Sequence, residues 1–201
     1  MKKRNKIVGL VISLIAIPTF AFAQAKSKVY IGAEYTQNKI DTGISNISSS
    51  LDEKDNGFSI FLGSEVDKNI DVELSYNNFG KASLSGVSGN RFSVDGTTYQ
   101  FTGTGSFEAK ASSFGIAVRP KLPLTENFNI GATLGVHRWS SELSAASSAG
   151  FGKIENDGFD YFYGANLNAT FNNVTAGIGY NIYKVDGDDI KSLGLRVAAK
   201  F

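Results

Sequence analysis

Eight stretches of this chain place apolar and polar side chains in alternation. A period of two repeated that often admits only strands with one apolar and one polar face. In the first, Val29, Ile31, Ala33 and Tyr35 alternate with Tyr30, Gly32, Glu34 and Thr36. The second sets Phe58, Ile60 and Leu62 against Ser59, Phe61 and Gly63, and the third sets Ile70, Val72, Leu74 and Tyr76 against Asp71, Glu73 and Ser75. The fourth opposes Phe114, Ile116 and Val118 to Gly115, Ala117 and Arg119, and the fifth opposes Ile130, Leu134 and Val136 to Gly131, Thr133 and His137. Tyr161, Tyr163 and Leu167 face away from Phe162, Gly164 and Asn166 in the sixth. The last two carry Val174, Ile178 and Tyr180, then Leu193, Leu195, Val197 and Phe201, on their apolar sides. The chain's 22 Gly against 3 Pro also oppose a helical bundle.

The links between these stretches are of two kinds. Asp67-Lys68-Asn69, Thr125-Glu126-Asn127 and Asn172-Asn173 are tight turns, whereas residues 37–56, 80–106 and 140–157 read as long loops. Asp186 to Asp189 is a fourth link at the long-loop end, but short. Short turns at one end and long loops at the other fit an antiparallel barrel that crosses a membrane. Within the second loop, Arg91–Val94 and Thr97–Phe101 flank Asp95-Gly96, a hairpin on a primed turn. Its arms are too short to cross a bilayer, so the reading is an external extension on eight strands in preference to a ten-stranded barrel.

A water-soluble barrel would alternate in the same way with its apolar face inside. Ten strand glycines decide the orientation: Gly32, Gly57, Gly63, Gly115, Gly131, Gly135, Gly164, Gly177, Gly179 and Gly194 all lie on the polar face. Small residues suit a narrow interior that must also hold Glu34, Glu73, Arg119 and Arg196. The polar face is therefore the lumen and the apolar face meets lipid. Aromatic residues gather at both ends of that outer face, with Tyr35, Phe58, Tyr76, Phe159, Tyr161 and Tyr180 near the long loops and Phe128, Phe171 and Phe201 near the short turns, as two interfacial girdles do.

Residues 1–23 are a different kind of sequence. Lys2, Lys3, Arg4 and Lys6 precede an apolar stretch, Ile7 to Ala23, that contains Pro18 and closes on Ala21-Phe22-Ala23. These are the parts of a cleaved secretory signal peptide, leaving residues 24–201 as one outer-membrane barrel domain. Without those four cations the 20 Lys and Arg fall to 16, against 19 Asp and Glu, a net charge of −3. No basic patch for nucleic acid is left. Cysteine is absent, which excludes disulfide scaffolds and thiolate sites, and no cofactor motif is present.

The leader, the barrel pattern and the ending GLRVAAKF with terminal Phe201 resemble the eight-stranded outer-membrane proteins of the OmpA-like, OmpX-like and opacity-protein group, the resemblance being closest over residues 158–201. It implies a Gram-negative outer membrane, with lipid and lipopolysaccharide as surroundings. It also implies that the outer-membrane assembly machinery reads Phe201 as its signal. No peptidoglycan-binding domain follows the barrel, so a cell-wall tether is not expected.

Catalysis is not expected. Some barrels of this size are lipid A deacylases or palmitoyltransferases that pair a serine with a histidine, and nucleophilic catalysis needs the two within hydrogen-bond reach. His137, the chain's one histidine, lies on the lumen face with Trp139 two residues on, where the deacylase pattern has serine. Asp186-Gly187-Asp188-Asp189 lacks the further ligands of a calcium loop and serves as a hydrophilic turn. No metal, cofactor or catalytic residue is therefore assigned. The expected function is an anchor that presents its loops to host or cell-surface ligands, the alternative being a small-solute pore of low conductance. A lumen plug is expected in which Glu34 on the first strand pairs with Arg196 on the last, its neighbour in a closed barrel, with Arg119 and Glu73 at similar depth on other walls.

Overall fold

The structure is a computed structural model, and it describes residues 28–201 except 46, 95, 148 and 149. The expected leader lies outside the described residues. The chain runs through β1 (Val29–Ile40), β2 (Ile44–Ser45), β3 (Ser50–Asp52), β4 (Lys54–Asp67), β5 (Ile70–Gly86), β6 (Arg91–Val94), β7 (Thr97–Gln100), β8 (Gly105–Pro123), β9 (Phe128–Ser147), β10 (Gly150–Phe171), β11 (Val174–Val185) and β12 (Asp188–Lys200). Eight of these, β1, β4, β5, β8, β9, β10, β11 and β12, pair antiparallel with their neighbours, and β1 pairs with β12 to close the ring. Closure removes every sheet edge inside the bilayer, where an unpaired backbone group has no water to turn to. At the seam, Phe201 donates its backbone N–H to Val29 O at 2.9 Å, so both ends of the barrel chain meet at the short-turn end.

The alternation read from the sequence becomes two surfaces. Ile31, Leu62, Leu74, Ile116, Leu134, Ile178 and Leu195 stand outward, each 47–63% exposed, while Glu34, Asn77, Ser113, His137 and Ser192 on the other parity are buried. A continuous apolar band of this extent is tolerated in lipid and not in water. Both girdles form: Tyr76 packs on Phe114 at 4.9 Å and on Phe58 at 6.2 Å, and Phe128 packs on Phe171 at 6.4 Å at the other end.

The turns follow from their residues. Asp186-Gly187 has φ values of 53° and 93°, the two positive angles a two-residue primed hairpin requires. The long links, by contrast, are more ordered than loops. Strands β9 and β10 stay in register from Phe128–Ala169 out to Ser147–Gly150, so residues 140–147 and 150–157 continue the hairpin beyond the barrel instead of forming a loop. The second link shortens likewise because β5 and β8 pair out to Gly86–Gly105. The β6–β7 hairpin forms as expected and adds β2 to make a separate three-stranded sheet outside the barrel. Phe101, read as a loop residue, is buried in this cap against Phe92 and Phe107. The barrel wall is consequently tall along β5, β8, β9 and β10 and low along β11, β12 and β1.

One irregularity changes which residues face inward. The β5–β8 register shifts between Asn78 and Lys81, where Gly80 takes φ 74°. This bulge reverses the parity of β5, so Phe79 below it and Ala82 and Leu84 above it all point into the barrel, each 2% exposed.

Candidate functional site

Large inward side chains fit this narrow lumen because they lie over glycines of neighbouring strands. Phe61 covers Gly32, Tyr30 covers Gly63, Phe162 covers Gly135 and Glu34 covers Gly194; a methyl group at any of these glycines would collide with its neighbour. These four inward glycines thus mark where bulk from the next strand is accommodated.

Three layers fill the lumen from the short-turn rim up to Tyr183. At the short-turn rim Lys121 bonds Glu65 at 3.0 Å and Asp71 at 2.7 Å, and Lys200 bonds Glu65 at 2.7 Å. Above it Glu73 is the hub of a buried charge cluster. Its Oε1 accepts from Arg119 Nη1 at 3.0 Å, and its Oε2 accepts from Arg196 Nη2 at 2.7 Å and from the Tyr30 hydroxyl at 3.2 Å. The Arg196 guanidinium also stacks over Phe61, 4.1 Å from the ring centre. The lower lumen retains a void of about 40 Å³ between these groups, room for water but not for a solute stream.

The third layer is aromatic. Phe162 stacks on Tyr183 at 4.9 Å, Phe79 meets Tyr183 at 4.7 Å, and His137 stands edge-on to both Phe162 and Tyr183 at 5.5 Å. His137 Nε2 contacts the Lys184 carbonyl at 2.9 Å, which fixes the ring against the wall with that nitrogen as donor. The imidazole is 1% exposed and spent on packing, with no serine hydroxyl as its partner among the described residues.

The expected seam pair differs in detail. Glu34 and Arg196 are register partners across β1 and β12, as closure requires. Yet Arg196 turns to Glu73, and Glu34 Oε1 is buried without a hydrogen-bond partner. The cause lies in the glycines: Gly194 leaves space that draws Glu34 to one side, and Phe61 draws the guanidinium to the other. Arg119, Glu73 and Arg196 are brought together, and Glu34 borders them. The aromatic layer escaped the sequence reading because Phe79 lies beyond the third alternating stretch and Phe162 and Tyr183 sit on faces that are otherwise polar. Phe201 is 79% exposed on the outer face at the rim.

A closed antiparallel ring with an apolar belt, two aromatic girdles and a filled polar lumen defines a transmembrane β-barrel of the outer membrane. The chain belongs to the outer membrane protein beta-barrel domain family, whose model matches residues 7–201, and it resides in the outer membrane of the Gram-negative envelope. Among solved structures it is similar to Ail, the attachment invasion locus protein of Yersinia pestis, in complex with the heparin analogue sucrose octasulfate, at 17% identity and TM-score 0.56, covering 88% of this chain and 100% of that one. It is similar to OprG of Pseudomonas aeruginosa at 8% identity and TM-score 0.57, covering 87% and 96%. Neisserial surface protein A follows at 15% identity and TM-score 0.51, covering 86% and 97%. At these identities the likeness is one of fold. No curated protein matches the sequence.

Proposed function

We propose that this barrel is a non-catalytic membrane anchor that carries its extended outer strands to ligands at the cell surface. The observation that supports this is the filled lumen. The Glu73–Arg119–Arg196 cluster and the Phe79–Phe162–Tyr183–His137 stack lie in series across the channel, and each is held by contacts from several walls. An eight-stranded barrel has an interior just wide enough for such side chains. Glu34, Glu73, Arg119 and Arg196 then act as the lumen plug, and Phe201 acts as the signal to the assembly machinery. Outside the membrane, β9 and β10 project as a hairpin on which residues 150–161 of β10 pair with β9 alone, β11 joining only from Phe162. Lys153, Glu155 and Asp157 on that edge keep it from indiscriminate pairing while leaving it open to a specific partner.

The test has two arms. In planar bilayers the protein should give no large, steady open state, and such a state would favour the pore. On whole cells, shortening β9–β10 by removing 141–156 should abolish adherence to host-cell or bacterial surfaces while the barrel still inserts. Undiminished adherence would overturn the anchor reading.

A further inference from the structure

Above the aromatic layer the lumen is neither polar nor filled. It widens into a cup of about 540 Å³, within the size range of small-ligand sites. Ile40, Val185 and Ile190 floor it, Leu84 and Phe107 form its tall wall, and Phe92 of the β6–β7 hairpin overhangs it. These side chains stand on lumen-facing positions of five different barrel strands, with one on the cap, so the site is built by the tertiary fold and by no local motif. The rim has the opposite character. Asp41, Asp186, Asp188 and Glu142 border it, and Lys110 is the one basic residue among the described lining residues. Lys110 is engaged by Glu108 at 2.7 Å and Glu142 by Lys153 at 2.8 Å, and the low side of the wall is acidic at Asp41 and Asp186.

We propose that this cup is a binding site for a small single-chain amphiphile, its hydrocarbon seated on the Ile40–Val185–Ile190 floor and its head, cationic, at the acidic rim. Filling an apolar cavity of this size releases hydrocarbon surface from water on both partners. An acidic rim attracts an ammonium group and repels a carboxylate. The closed aromatic layer below makes the site one of capture from the outside, with no onward path. The inference goes beyond the anchor reading and does not depend on it, since a cup can bind whether or not the β9–β10 hairpin adheres.

Trp139, the chain's one tryptophan, belongs to the buried cluster that contains Ile40, Val185 and Ile190 and so reports on the floor. The barrel in nanodiscs is titrated with 8-bromooctyltrimethylammonium and with 8-bromooctanoate, whose terminal bromine quenches a neighbouring indole. Saturable quenching by the ammonium probe is expected, with affinity about tenfold above that of the carboxylate. Ala111→Phe and, independently, Ala82→Met, which fill the cup from two walls, should each abolish the saturable phase, folding being checked by the mobility difference between unboiled and boiled gel samples. Asp41→Asn with Asp186→Asn should keep the saturable phase and erase the preference for the cation. Quenching that rises linearly with probe in wild type, or that is unchanged in a folded cup-filling variant, reports partition into the bilayer and overturns the site. Equal saturable affinity for both probes overturns the cationic head group.

Discussion

Replacing Glu73 by Gln should be the most damaging single conservative change in the lumen. Glu73 is 7% exposed and its two oxygens receive Arg119, Arg196 and Tyr30 at 3.0, 2.7 and 3.2 Å. Glutamine keeps the shape but removes the charge and turns one acceptor into a donor that faces a guanidinium. Each hydrogen bond to a charged group contributes about 1.5–3 kcal/mol; the bond on the amide NH2 side is reversed and the guanidinium on the other side is left with a neutral acceptor. Removing one member of a buried ion pair typically costs about 3–5 kcal/mol, so both routes lead to a loss of about 3–5 kcal/mol. Glu34→Gln should behave differently even though Glu34 sits opposite Arg196 in register, because Glu34 Oε1 receives no hydrogen bond; the loss should be about 1 kcal/mol or less. The assay is urea unfolding in lipid vesicles, read as the fraction of heat-modifiable folded band and as Trp139 emission. If Glu34 moves in to serve Arg196 once Glu73 is gone, the double variant should lose more than the two single losses added together. A Glu34→Gln loss equal to that of Glu73→Gln would refute the assignment of Glu73 as hub and restore the seam pair.

Further outcomes follow from other contacts. Gly194→Ala should lower stability by about 1–3 kcal/mol because its methyl meets Glu34, and Glu34→Ala should relieve most of that loss in the same unfolding assay, whereas Gly152→Ala, with open space around it, should be silent. Deleting Phe201 or changing it to Asp should cut outer-membrane insertion far below that of Phe151→Asp, the control chosen because Phe151 is 72% exposed on the β10 extension; equal insertion would show that the terminus is not the signal. The extension should loosen in acid. Lys110, and next Lys81, hold the Glu108 carboxyl below the usual carboxylate range, so its contribution is present above about pH 4.3 and is lost as pH falls through the lowered folded value. Amide exchange at residues 83–85 and 106–108 should therefore be faster in Glu108→Gln than in wild type at pH 7, the two converging in strong acid; a gap that persists there would show that the ion pairs do not supply the protection.

Much of this architecture was legible in the sequence for a local reason. Strand side chains alternate with a period of two whatever the strand pairs with, so the pattern from Val29 to Thr36 assigned Tyr30 and Glu34 to one side and Ile31 and Tyr35 to the other before any partner was known. Glycines crowded on the polar parity then distinguished lumen from lipid, and turn residues such as Asp186-Gly187 set where strands reverse. The tertiary structure decided what depends on meeting across the barrel. Arg196 reaches Glu73, three strands away, because long side chains in a narrow lumen choose partners by the space glycines leave and not by register alone. The inward turn of Ala82 and Leu84 depends on a one-residue bulge at Gly80 that no alternation pattern announces. The apolar cup exists because Ile40, Leu84, Val185 and Ile190, scattered among strands whose other inward residues are polar, come to one height only when the ring closes. Periodicity is a property of the strand, whereas height and reach across the lumen are properties of the closed barrel.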